Sequence, residues 1–147
     1  MDSTRLAALE ERLGHLFRDE QLLERALTHA SYANEHPPAP HHEVLAFLGD
    51  AALALVVAEY LLGAAPDAPV GDLTQRRASV VAGSNLARWA AELDLGDLLR
   101  LGRGEDQTGG RMRESILATT LEALLGVVHL EGGLAGVRTA VGRLALW

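Results

Sequence analysis

The stretch from Glu43 to Leu62 constrains the fold more than any other part of the chain, because its apolar residues occupy nearly every side of the helix they predict. A helix of that kind is stable only when other elements surround it. A second apolar helix is expected over Arg111–Leu130, ended by Gly132 and Gly133, with a final helix running to the C-terminus. No segment alternates apolar and polar residues for long enough to predict a strand, so the fold class is all-α. With 147 residues and no inter-domain linker, residues 1–147 read as a single domain. A chain of this size buries roughly two-thirds of its unfolded surface, enough for a core without metals or disulfides.

The remaining elements follow from caps and breakers. Ser3 is placed to cap a first helix whose Leu6, Leu9, Leu13 and Leu16 fall at helical spacing, and a short second helix runs from about Asp19 to Leu27. Ser31–His42, with three prolines and three histidines, reads as a loop, as does Gly63–Gly71. Asp72 is placed to cap a helix through Val81, another runs from about Asn85 to Leu95, and Leu101–Gly110 reads as a glycine-rich connection.

Composition excludes several chemistries. There is no cysteine, so disulfide scaffolds, thiolate zinc sites and thiol nucleophiles are absent. All 13 basic residues are arginine, which excludes a phosphate-loop lysine and Schiff-base catalysis. The net charge of −7 weighs against a surface that grips nucleic acid unaided. Met1-Asp2 opens a mixed-charge stretch unlike a targeting segment, and the longest apolar run, Ala51–Ala58, falls short of the roughly 20 residues of a membrane span. The expectation is a cytoplasmic protein with no membrane contact.

Charged groups on buried helices must pair or bind something. Glu43 and Asp50 lie two helical turns apart on one face, and Glu122 interrupts the second apolar helix. Spacing alone leaves two readings open: a site for a hard divalent cation with oxygen ligands, or a first-turn acid favoured by the helix dipole beside two carboxylates paired with arginine.

A motif separates them. Glu43-Val44-Leu45-Ala46-Phe47-Leu48-Gly49-Asp50 resembles the ribonuclease III signature, normally Asn-Glu-Arg-Leu-Glu-Phe-Leu-Gly-Asp. The likeness continues upstream in Leu27-Thr28-His29-Ala30-Ser31-Tyr32-Ala33-Asn34-Glu35. Downstream it includes Gly71-Asp72-Leu73-Thr74, Arg77-Ala78, Leu101-Gly102-Arg103-Gly104-Glu105, Arg113-Glu114-Ser115-Ile116-Leu117-Ala118 and Glu122-Ala123-Leu124-Leu125-Gly126. It covers nearly the whole chain. The resemblance implies a helical nuclease domain built around a buried signature helix, which dimerises and cuts double-stranded RNA with magnesium, manganese being a possible substitute. Carried over by position, Glu43, Asp50 and Glu122 match acids that act in catalysis and hold the metal, and Phe47 matches the aromatic that packs into the partner subunit; an ordinary core phenylalanine is the other reading of Phe47.

The departures are as informative. Ala46 stands at the second signature acid, Thr119 at the acid three residues before Glu122, and Val70 at the acid just before Gly71-Asp72. Three family carboxylates are missing, which predicts weaker metal affinity and slow turnover. The competing expectation is a catalytically inactive dimer that binds structured RNA or associates with the ribosome. The expectation is a nuclease domain without the separate RNA-binding domain common in the family, either as a minimal form or as a truncated one. RNA contact then falls to arginines, for which Arg76, Arg77, Arg103, Arg111 and Arg113 are the candidates. His42-Glu43 opens like a zinc-protease motif, but Ala46 occupies the position of the second histidine. His36, His41 and His42 are expected to be solvent-exposed, and Trp89 to lie in the core.

Overall fold

The computed structural model describes residues 1–147. Eight helices follow in order: α1 (Ser3–Leu13), α2 (Glu20–Ala26), α3 (Ala30–Glu35), α4 (Glu43–Ala64), α5 (Val70–Val81), α6 (Gly83–Glu92), α7 (Arg103–Gln107) and α8 (Glu114–Ala145). Short 3-10 turns occupy Leu95–Leu98 and Gly110–Met112. The only β pairing is one bridge between Thr28 and Arg100, so the all-α expectation holds.

The two apolar helices form the centre. Leu53, Val56 and Val57 of α4 and Leu121, Leu124, Leu125 and Val128 of α8 are buried in one cluster with Leu9 and Leu13 of α1 and Trp89 of α6. Both α4 and α8 are long and apolar enough to cross a bilayer, which the count of uninterrupted apolar residues did not anticipate. Their apolar character is used on each other. Where they cross, a Cβ on Gly49 would lie 1.7 Å from the Glu122 carbonyl oxygen, and one on Gly126 would lie 2.3 Å from that of Leu45. The two backbones therefore touch without intervening side chains, a spacing only glycine permits.

Several boundaries differ from the sequence reading for local reasons. Asp2, not Ser3, caps α1 by accepting from the Thr4 and Arg5 amides. Helix α5 starts at Val70 behind Pro69, two residues before Asp72, and α6 starts at Gly83. The loop expected over Ser31–His42 contains most of α3, whose cap is the His29 imidazole accepting from the Ser31 amide at 3.1 Å. The glycine-rich connection contains α7, whose N-terminal amides are satisfied by α3: Gly102 N–H donates to Ser31 Oγ (2.8 Å) and Arg103 N–H to the Glu35 carboxylate (3.0 Å). Helix α8 begins at Glu114 and continues past Gly132. Its break is at Gly133, where φ is 65°, and the remainder is the expected final helix.

Candidate active site at the helix crossing

Asp50 follows Gly49 on α4, and Glu122 is the α8 residue whose carbonyl oxygen Gly49 meets. The glycine contact thus brings a carboxylate from each central helix to the same place. Asp50 is exposed and Glu122 half-buried. Burial, then the hydrogen bond and negative charge of Asp50, push the Glu122 carboxyl up to about 8. The two carboxyl groups present hard oxygen donors, and a divalent cation bound there would displace the Glu122 proton. Two carboxylates suffice, because magnesium is ordinarily held by one or two of them together with waters and substrate phosphate. The donor set therefore fits one ion.

The other expected ligand does not join them. Glu43 lies in the exposed first turn of α4, where the helix dipole favours it, and its charge acts on His29. No three histidine, aspartate or glutamate side chains converge on one cation position. Of the three positions that lack an acid, Val70 is exposed at the start of α5. Ala46 is buried against the core, and Thr119 donates its hydroxyl back to the Ser115 carbonyl at 2.8 Å.

Next to Glu43 the structure departs from expectation. His36 is exposed, stacked on Tyr32 with ring centroids 4.0 Å apart, and His41 is half-buried. His42, expected at the surface, is only 2% exposed, and neither ring nitrogen has a hydrogen-bond partner. Its backbone N–H donates to the Thr28 carbonyl, which turns the ring inward onto the edge of His29. Burial, with His29 and His41 nearby, pushes the His42 imidazole down to about 4.

The arginines divide. Arg111 donates to the Asp106 carboxylate and to the carbonyls of Gly96 and Leu99, and Arg113 to the Glu105 carboxylate and the Thr108 carbonyl. Both are committed within the fold, contrary to the expectation that they face RNA. Arg76 and Arg77 on α5, and Arg103 at the start of α7, are exposed and carry no ion pair. Phe47 is 81% exposed and, with Val44, Ala51 and Leu55, forms an apolar stripe along the outer face of α4, so it is not a core residue. Trp89 is buried as expected, while Trp147 stacks on Tyr60 of α4.

Residues 19–146 match the family model described as ribonuclease-III-like. Ribonuclease 3 of Pelotomaculum thermopropionicum is 52% identical over 132 residues, 88% of this chain and 55% of that protein. The chain spans about half the length of the curated relatives it matches. The nuclease domain of ribonuclease III from Campylobacter jejuni superposes with a TM-score of 0.88 at 39% identity, covering 98% of this chain and 94% of that one. A second structure of that domain, described by structural flexibility in its region involved in dimer formation, gives 0.87 at 40% identity over 93% of each chain. The helical architecture, the paired carboxylates at the glycine crossing and a match over residues 19–146 together establish that this chain belongs to the ribonuclease-III-like family.

Proposed function

We propose that this chain is an endoribonuclease domain that hydrolyses phosphodiester bonds of double-stranded RNA as a homodimer, with Asp50 and Glu122 as the catalytic carboxylates. The observation that carries the reading is the Asp50–Glu122 pair, one acid from each central helix, held together by the Gly49 contact. These two residues would bind magnesium, with manganese as a substitute; when bound, the ion supplies Lewis-acid polarisation of the scissile phosphate. Glu122 holds a proton in the metal-free site and releases it on cation binding. Thr119 brings no charge, which leaves the site short of the anionic ligands its relatives' pattern implies and accounts for an expected slow turnover. Glu43 stands apart from the pair, in the first turn of α4, and is not assigned to the ion.

Duplex RNA meets Arg76, Arg77 and Arg103, the exposed unpaired cations, and the second copy packs on the stripe that includes Phe47. The test is incubation of the purified chain with a long RNA duplex in magnesium and then in manganese. Cleavage is expected, and Asp50→Asn or Glu122→Ala should abolish it. A second reading is favoured by Ala46 and by the Thr119 hydroxyl being committed to Ser115: an inactive dimer that binds structured RNA. Duplex binding without cleavage in either metal establishes that reading instead.

A further inference from the structure

A cavity of about 350 Å³ lies between α2, the Ala39–Pro40 loop and Arg100, and shares no residue with the carboxylate pair. Its size falls within the roughly 300–1,000 Å³ of small-ligand pockets. The lining is polar and its charges are unbalanced. Glu24 is neutralised by its ion pair with Arg100. Arg100 is rigid, with its guanidinium 4.2 Å over the Tyr32 ring and its backbone bridging to Leu27 and His29. Arg25 is different. It is half-buried, its Nε donates to the His41 carbonyl at 3.0 Å, and its two terminal nitrogens have no protein acceptor and no carboxylate partner. A partly buried guanidinium with its planar fork unused matches a phosphate group bidentately. Gln21 contributes an amide with no protein partner. The Thr28 hydroxyl is buried and donates to the Glu24 carbonyl, which closes the floor of the cavity. A lone phosphate would leave most of this volume empty, whereas one nucleotide occupies it.

We propose that this cavity is a binding site for a single ribonucleotide, free or at the end of a strand, whose phosphate is held by the Arg25 fork and whose base or ribose is read by Gln21. The choice of a ribonucleotide rests on RNA being the substrate of the carboxylate site. The two remain separable, because nucleotide binding is read without catalysis.

The experiment is titration of the whole chain, followed by calorimetry and by amide NMR shifts, with a 5′-ribonucleoside monophosphate, inorganic phosphate and a short single-stranded RNA in separate arms. The monophosphate should bind, with shifts at Gln21, Arg25, Thr28 and Arg100, and inorganic phosphate should bind at least ten-fold more weakly. Binding of the single strand at the same residues assigns the strand end as the source; its absence there assigns the free nucleotide. Arg25→Met should weaken binding at least ten-fold. Gln21→Ala, at an exposed helix position that does not endanger folding, should weaken it several-fold. No binding at 10-fold molar excess over millimolar protein, equal affinity for inorganic phosphate, or unchanged affinity in the Gln21→Ala chain overturns the proposal. Duplex cleavage that persists while nucleotide binding fails overturns this site and leaves the carboxylate site standing; the reverse result does the opposite.

Discussion

Glu122 keeps its proton far above the usual carboxylate range, and its response to pH has a definite sign. Its folded value of about 8 lies above the ordinary 4.5, so the folded chain holds a proton that the unfolded chain releases. The resulting stability is complete below pH 4.5 and is lost as pH rises through 8. Removing the charge should therefore help the metal-free protein where it is ionised. In thermal denaturation at pH 9, Glu122→Gln is expected to exceed the parent by about 1–2 kcal/mol, discounted for the solvent-screened half of the group, with the gap closing below pH 5. Magnesium should raise the melting temperature of the parent at pH 8 and not that of the variant. His42 has the opposite sign. Its folded value of about 4 lies below the ordinary 6.5, so its contribution is complete above pH 6.5 and is lost as pH falls toward 4. His42→Asn should flatten the acid limb of a melting-temperature profile and leave the alkaline limb unchanged. The acid limb that remains in the variant belongs to other groups held below their ordinary values, His29 by burial and Glu131, whose burial is outweighed by its hydrogen bonds to His15 and to the Asp19 and Arg18 amides.

The central helices were legible because period and composition decide them locally: α4 runs over Glu43–Ala64 against an expected Glu43–Leu62, and the signature on it located Asp50. The short helices α3 and α7 were not legible. Helix α3 rests on an unusual cap, the His29 imidazole, and the N-terminal amides of α7 are satisfied by Ser31 and Glu35, contacts across about 70 residues that no local pattern announces. The same distance effect misplaced two arginines. Arg111 and Arg113 look like free cations in a glycine-rich segment until the fold supplies carbonyls and carboxylates for them. Arg111→Ala should cost about 1–3 kcal/mol in urea unfolding, since it strands two carbonyls and Asp106. Arg103→Ala should stay within about 0.5 kcal/mol of the parent while weakening duplex binding in a salt-dependent manner. At the crossing, Gly126→Ala places a methyl group against the Leu45 carbonyl and forces the helices apart. The expected loss is about 3 kcal/mol in urea unfolding, together with weaker cation affinity as Asp50 and Glu122 separate.

For the molecule as a whole, the outer stripe of α4 is the counterpart of its buried face. Val44, Phe47 and Leu55 are exposed, and α5 has no fully buried residue, so the subunit leaves apolar surface that a second copy would cover. If the proposed dimer forms, Phe47→Arg should yield a monomer by size exclusion with light scattering where the parent should run as a dimer, and should lower duplex affinity by removing half of the arginine set. The charge of −7 sharpens this expectation: a single copy offers few unpaired cations, so duplex binding should depend on two copies and on salt. The glycine crossing has one more consequence, in the currency of evolution. Because backbone contact at Gly49 and Gly126 sets the spacing of the site, the side chains around it can change without moving the frame. For a lineage carrying this chain, acids at Ala46, Val70 and Thr119, the three positions where the resemblance implies them, are three substitutions away, and none of the three is a glycine of the crossing.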